Sequence, residues 1–122
     1  MTVADYKQLI VWQKSMDLAA NVYRCTQQFP REEVFGLASQ VRRAAVSIVS
    51  NIAEGQGRGS TVDFIRFLRV SNGSRQEAET QLILAQRLGY TNESSLASLM
   101  EQCAEIGRML AGLIRALETQ EH

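Results

Sequence analysis

The sequence predicts an all-α protein, an antiparallel up-and-down four-helix bundle formed by a single domain over residues 1–122. Three observations support this fold class. Pro30 is the only proline, few segments alternate apolar and polar residues, and apolar residues recur at three- and four-residue steps through most of the chain. With 45% hydrophobic and 21% charged residues, the chain has the composition of a globular domain that buries a core.

Pro30 separates the first two helices. The first is expected over residues 6–29, because the residue before a proline is pushed out of helical geometry. Its apolar positions form one face, made of Trp12, Met16, Ala19, Val22, Tyr23, Thr26 and Phe29.

The second helix is expected over residues 32–54. Beside its main apolar stripe it has a second one, about 100° further round, formed by Val46, Val49 and Ala53. This second stripe is either a subunit interface or a second packing contact within the bundle.

A glycine-rich segment, residues 55–61, leads from the second helix to the third. The third helix is expected over residues 61–88, with Ser60 or Thr61 as its N-cap. Gly73 lies in its middle, where a glycine costs about 1 kcal/mol relative to alanine. Close approach of a neighbouring backbone would explain why this glycine is tolerated. The fourth helix is expected over residues 93–118, where apolar residues follow the 3-4 spacing of antiparallel bundles.

The residue types needed for most enzyme chemistry are missing or isolated. His122, the only histidine, is the last residue, which argues against Ser-His-Asp, Cys-His and histidine-based metal sites. Cys25 and Cys103 lie far apart within helical patterns, and we expect them to be reduced and packed rather than joined in a disulfide or bound to a metal. The sequence therefore predicts a protein without catalytic residues, cofactor or metal.

No sequence signal directs the chain to a membrane. No apolar run approaches the ~18 residues that a membrane span needs. The first residues also lack the basic and then apolar pattern of a signal peptide. We therefore expect a cytoplasmic protein with no membrane partner.

Two polar stripes, one on the second helix and one on the third, are placed to face each other. They consist of Arg43, Ser47, Asn51, Glu54, Ser74 and Glu77. One interpretation is a hydrogen-bonded seam that fixes the register of the two helices, in which Arg43 pairs with Glu77 or Glu54. The alternative is an acid–base pair of desolvated Glu54 and Glu77. No nucleophile, metal set or cofactor motif accompanies that pair.

The formal net charge is zero, but the middle of the chain is basic and its C-terminal part acidic. Arg58, Arg66 and Arg69 are the candidates for contacts with the phosphates of RNA or DNA, and solvated surface charge is the alternative. Arg58 and the start of the third helix are also placed to bind an anion, although a simple helix-to-helix turn is the other interpretation. Aromatic residues do not interleave with these arginines in the manner of base-stacking platforms, so we expect phosphate contacts and little sequence reading.

One long motif resembles the core signature of the bacterial four-helix bundle proteins, also called the ribosomal RNA intervening-sequence protein family. It reads Leu37-x-x-Gln40-x-Arg42-Arg43-Ala44-Ala45-x-Ser47-Ile48-x-x-Asn51-Ile52-Ala53-Glu54-Gly55-x-Gly57-Arg58. The resemblance extends over nearly the whole chain, through Val11-Trp12-Gln13-Lys14, Phe64-x-x-Phe67-Leu68, Gly73-Ser74-x-x-Glu77, Thr80-Gln81-Leu82 and Leu88-Gly89-Tyr90.

This resemblance implies a cytoplasmic bundle that assembles into a ring-like homopentamer. Some members of the family are encoded within insertions in large ribosomal RNA genes. A related branch serves as accessory proteins of diversity-generating retroelements, where a basic pentamer binds nucleic acid and a reverse transcriptase. This chain departs from that branch because its net charge is zero.

The expected function is that of a non-enzymatic, homo-oligomeric scaffold or adaptor. Its expected partners are other copies of itself and RNA, a ribonucleoprotein or a nucleic-acid-processing protein, which it engages weakly through basic patches. The alternative is a purely protein-binding structural module with no affinity for nucleic acid.

Overall fold

The computed structural model describes the backbone of residues 5–121 and the side chains of residues 5–120. Within this range the protein is all-α, without a β-strand, as the sequence predicts. His122, for which a frayed position is expected, lies outside the described residues. The elements are two 3-10 helices, Tyr6–Gln8 and Arg31–Glu33, and four α-helices, α1 (Ile10–Thr26), α2 (Leu37–Gln56), α3 (Thr61–Arg87) and α4 (Glu93–Glu121). None of these helices combines the length and the apolar character of a membrane span.

Each α-helix packs against two others, in the cyclic order α1, α2, α3, α4, and the contact between α2 and α3 is the most extensive. Side-chain contacts show that α2 and α3 run antiparallel, because Ser47 meets Ser74 while Gln40 meets Gln81. The residues at the centre of the bundle are fully buried and come from all four helices: Leu18, Val22, Val41, Ile48, Ile52, Leu68, Leu82, Cys103, Ile106 and Leu110.

Helix α1 is shorter than expected and turned about its axis. It begins at Ile10 and ends at Thr26, and two residues of the expected buried face, Met16 and Tyr23, are 45% and 43% exposed. Ser15 and Leu18, which the expected face does not include, lie in the core, whereas Thr26 is buried as expected. Thr26 is accommodated there because its hydroxyl donates to the carbonyl of Val22 at 2.9 Å. The apolar pattern misled because small polar residues occupy buried positions on this helix.

Helix α2 begins at Leu37, five residues later than expected. The carboxylate of Glu33 accepts a hydrogen bond from the Leu37 amide at 3.0 Å and another from the Tyr90 hydroxyl at 2.9 Å. The first of these bonds, and then the second, lowers the pKa of Glu33. Residues 31–36 therefore form a 3-10 turn and a cap, and they hold the start of α2 against the turn between α3 and α4.

Helices α2 and α3 approach each other closely at Gly55, the buried residue next to the last of α2. A β-carbon on Gly55 would lie 2.6 Å from Cβ of Phe67 and 3.2 Å from Cδ1 of Phe64. Gly73 is different, since nothing lies within 4 Å of the position of its β-carbon. The expectation of a close backbone approach at Gly73 is therefore wrong within the protomer.

Ser60 caps α3 by accepting a hydrogen bond from the Asp63 amide at 3.1 Å.

We predict that Gly55→Ala lowers the free energy of unfolding by about 1–3 kcal/mol, because the added methyl group overpacks the contact with Phe67. Gly112→Ala is the matched control: it lies inside α4 with open space around its β-carbon, so the same change raises stability by about 0.5–1 kcal/mol. Urea unfolding at one fixed protein concentration measures both. A Gly55→Ala variant as stable as the parent would contradict the close approach.

Candidate nucleic-acid interface

Two of the three arginines predicted to contact phosphate meet around one aromatic ring. The guanidinium carbons of Arg58 and Arg66 lie 4.9 Å and 5.3 Å from the centroid of the Phe67 ring, which is cation–π distance. Each arginine also pairs with a carboxylate at 3.2 Å, Arg58 with Glu54 and Arg66 with Asp63. The two form one exposed cluster in which every positive charge is balanced by a negative one.

Arg69, the third of these arginines, lies apart from the other two. Its side chain points to α4 and pairs with Glu118 at 2.8 Å. Arg75 and Arg115 line the same groove between α3 and α4. Arg75 is mostly buried and pairs with Glu79. The three predicted arginines therefore do not form one patch, because Arg69 is drawn to a carboxylate on another helix, which sequence spacing does not reveal.

The thiol of Cys103 lies near the paired side chains of Arg75 and Glu79, and it is not reactive. A β-carbon on Gly107 would lie 2.8 Å from Cζ of Arg75, so the absence of a side chain there makes room for the guanidinium. Burial, and then the charge of Glu79, raises the pKa of Cys103 to about 12, while Arg75 acts against this rise. The thiol is therefore protonated at neutral pH. Cys25 and Cys103 are both free, and no cluster of metal-ligating side chains was found within residues 5–120.

Part of the predicted polar seam is present between α2 and α3. The hydroxyls of Ser47 and Ser74 lie 2.8 Å apart, and the side-chain amide of Asn51 donates to the Ser47 carbonyl at 2.7 Å and to its hydroxyl at 3.0 Å. A further bond, which the sequence analysis did not include, runs from the buried Ser71 hydroxyl to the carbonyl of Ile48 at 2.7 Å. Small polar side chains therefore bridge the two helices where they pack closely.

The charged members of the predicted seam do not join it. Glu54 is bound by Arg58, and Glu77 reaches only the Gln81 amide, at 3.5 Å. Arg43 forms no ion pair within the described part of the chain, so its expected pairing with Glu77 or Glu54 is wrong. Both carboxylates are exposed. The acid–base interpretation requires them to be desolvated, and the structure gives it no support.

We predict a direct coupling between Ser47 and Ser74. Ser74→Ala removes the interhelical hydrogen bond and lowers the free energy of unfolding by about 0.5–1.5 kcal/mol. In a cycle of Ser47→Ala, Ser74→Ala and the double variant, the two losses are non-additive by about 0.5 kcal/mol or more. Thr80→Ala is the control, since its hydroxyl bonds only within α3, to the carbonyl of Gln76. Strictly additive losses at Ser47 and Ser74 would count against the seam.

The expected interface stripe on α2 is only partly available to a second subunit. Val49 is 6% exposed and is therefore buried within the protomer, which corrects its assignment as an interface residue. Val46 is 40% exposed, and Ala53 is half-buried. Besides α1 and α3, α2 also packs against the 3-10 helices Tyr6–Gln8 and Arg31–Glu33, additional contacts that helical periodicity does not predict.

An exposed groove beside α2, which we call the Phe35 groove, was missed by sequence reasoning. It has a volume of about 600 Å³ and is lined by Tyr23, Val34, Phe35, Ser39, Arg42, Arg43, Val46 and Ser47. Phe35 is 94% exposed. The neighbouring pairs Val34-Phe35 and Arg42-Arg43 were visible in the sequence. Their meaning was hidden because a helix starting at residue 32 would have placed Phe35 on an ordinary helical face.

The comparisons with known proteins agree with the resemblance seen in the sequence. A family model described as "23S rRNA-intervening sequence protein" matches residues 7–112. A solved structure from the S23 ribosomal protein family of Bacteroides thetaiotaomicron, of unknown function, is similar to this chain with 27% identity and a TM-score of 0.81. That match covers 87% of this chain and 96% of the other. A comparison with curated proteins finds no match. The chain belongs to the 23S rRNA-intervening sequence protein family.

Proposed function

We propose that the protein is a non-catalytic, homo-oligomeric scaffold, assembled as a ring-like homopentamer, that binds RNA weakly and without reading its sequence. The observation that carries self-association is a row of half-exposed apolar side chains along α3. The family resemblance supports the ring and the connection with RNA. The buried Cys103 thiol is protonated and is therefore not available as a nucleophile.

This half-exposed row, which we call the α3 stripe, consists of Val70, Gly73 and Leu84 of α3 and of Leu88, the residue directly after the helix. The three large side chains are 49%, 46% and 51% exposed. At 100° per residue all four positions fall within about 60° of arc and extend over about 27 Å, and the exposed Glu77 lies in the same arc between Gly73 and Leu84. Gly73 has open space where its β-carbon would be, so the backbone of another subunit can approach closely there. Apolar residues beside an exposed mid-helix glycine fit a helix–helix contact between subunits.

We predict that the protein in solution has five times the 13.6 kDa mass of one chain. Leu84→Glu places a charge in the α3 stripe and shifts the mass to that of a monomer, because burying an unpaired carboxylate in the interface is costly. Gln76→Glu is the control: it adds the same charge to an exposed position of α3 outside the stripe. Light scattering measures all three. A monomeric parent protein, or a Leu84→Glu variant that stays assembled, would overturn the interface.

For RNA, the proposed phosphate contacts are Arg58, Arg66 and Arg69. Their side chains are 48%, 66% and 57% exposed, and their carboxylate partners are exposed as well. Exposed ion pairs are worth about 0–1 kcal/mol, so phosphates compete with these carboxylates. The contact of one subunit is weak for the same reason, and a ring that repeats it gains affinity through multivalency.

We predict that removing a competing carboxylate strengthens RNA binding. Glu118→Gln frees Arg69 and raises the affinity about two- to five-fold at ~50 mM salt, because the exposed pair it breaks is worth up to about 1 kcal/mol. Glu101→Gln is the control, since it gives the same net charge on α4 and Glu101 forms no ion pair among the described residues. Affinity should fall steeply as salt is raised. No binding by the parent protein at ~50 mM salt, or equal effects of the two variants, would contradict the proposed contacts.

One observation favours the alternative, a purely protein-binding structural module. All three arginines predicted to contact phosphate are already paired within the protomer. The alternative is supported over the scaffold that binds RNA if the assembled ring purifies without nucleic acid and fails to bind RNA at ~50 mM salt. The absorbance ratio recorded together with the light scattering reports bound nucleic acid in the same measurement.

A further inference from the structure

We propose that the Phe35 groove is a binding site for single-stranded RNA, in which an unpaired base stacks on Phe35 while Arg42 and Arg43 contact the adjoining phosphates. This inference rests on the proposed function, because it names the kind of RNA that is bound and the surface that binds it. It does not depend on Arg58, Arg66 or Arg69, which lie on other parts of the molecule.

The aromatic part of the site is the ring of Phe35. The side chain lies in the turn before α2 and is 94% exposed, the highest value among the exposed large hydrophobic residues of the described chain. It therefore contributes almost nothing to the core of the protomer. An exposed ring offers a flat apolar face on which any of the four bases can stack, as in proteins that bind single strands without sequence preference.

The cationic part is held in place by the fold. The Arg42 Nε donates to the Thr26 hydroxyl at 2.7 Å, and its guanidinium carbon lies 4.8 Å from the centroid of the Tyr23 ring. These two contacts fix the side chain along α1 and leave the outer N–H groups of the guanidinium for a ligand. Arg43, the next residue, lines the same groove and is exposed.

The charge of the groove selects the ligand. Its lining residues include two arginines and no carboxylate, and neither arginine forms an ion pair within residues 5–120. By contrast, Arg58, Arg66, Arg69 and Arg75 are each matched by a carboxylate. In a chain whose net charge is zero, the Phe35 groove is therefore a local excess of positive charge with apolar walls. A phosphodiester that carries an unpaired base supplies both the negative charge and the planar apolar surface.

Three kinds of ligand compete for such a groove, and the single strand fits best. The bases of duplex RNA are stacked on one another and are not free to stack on Phe35. A second copy of this chain would cover the apolar walls but would desolvate two arginines, which requires carboxylates placed opposite them. The groove volume of about 600 Å³ is within the range of pockets that enclose small ligands, so there is room for a nucleotide.

The test compares a fluorescein-labelled 12-nucleotide RNA with the same RNA annealed to its complement, by fluorescence anisotropy at ~50 mM salt. We expect the single strand to bind more tightly than the duplex. Phe35→Leu keeps an apolar side chain but removes the aromatic face, and it weakens binding of the single strand about five-fold or more. Arg43→Gln also weakens binding and makes it less dependent on salt. Phe35→Trp retains binding, and the RNA quenches the fluorescence of the introduced tryptophan.

Two control variants separate the groove from general surface effects. Ile10→Ala shortens another exposed apolar side chain, and Arg87→Gln removes an exposed arginine that has no carboxylate partner in the described chain, so both should bind RNA like the parent. The solution mass of each variant is measured by light scattering in parallel.

The outcomes distinguish this inference from the proposed function. If the parent binds RNA and both variants, Phe35→Leu and Arg43→Gln, bind it equally well, the proposal that RNA binds in the Phe35 groove is wrong. The proposed function, a scaffold that binds RNA, then still stands. If Phe35→Leu lowers the solution mass and leaves the affinity of the remaining assembly unchanged, the groove is a contact between copies, and the inference is overturned. If the parent binds neither RNA, both the inference and the RNA part of the proposed function fail.

Discussion

The close packing of α2 against α3 is the constraint on which the rest of the structure depends. Gly55 allows the two helices to touch at Phe67, and Ser47, Ser71 and Ser74 replace large apolar side chains along the contact. Small residues let the helix axes approach, and their hydroxyls bond across the contact or to the opposing backbone. A larger side chain at any of these positions would separate the helices and open the core beneath them.

This packing has a consequence for the outer surface of the protein. Some of the larger side chains of α2 and α3 are left exposed beside the seam of small polar groups. On α3 they form the α3 stripe, and near the start of α2 they form the Phe35 groove. The capping of α2 by Glu33 contributes as well, because it turns residues 34–36 out of the helix and leaves Phe35 exposed. The two surfaces for which we propose partners therefore lie beside this pair of helices and the cap of α2.

The arginines of the protein fall into two groups, those paired with a carboxylate and those without such a pair among the described residues. Arginines matched by a nearby carboxylate, such as Arg66 and Arg69, are nearly neutral sites from a distance and attract an anion only weakly. Arg42 and Arg43 have no such partner, so their field is not cancelled locally. A protein with zero net charge can thus still present a locally positive surface to an anion. The net charge of the whole chain, which led us to expect weak binding of RNA, does not reveal this difference between paired and unpaired arginines.

Much of the fold could be predicted from the sequence, and the candidate site much less. The all-α class and the residues of α3 followed from regular apolar spacing and from a local capping residue, Ser60, whose effects reach only a few positions along the chain. The rotation of α1 did not, because Ser15 is buried by tertiary packing that overrides its polarity. The pairing of Arg69 with Glu118 could not be predicted either, since it joins residues far apart in the sequence.

Native-state hydrogen exchange of the unmodified protein, followed residue by residue, tests the central claim most directly. If the close packing of α2 on α3 is the most stable part of the molecule, the amides around Ile48–Ile52 and Leu68–Ala78 should exchange most slowly, through global unfolding alone. The amides of α1 should exchange faster, by local opening. Equal or greater protection in α1 than in α2 and α3 would contradict the account.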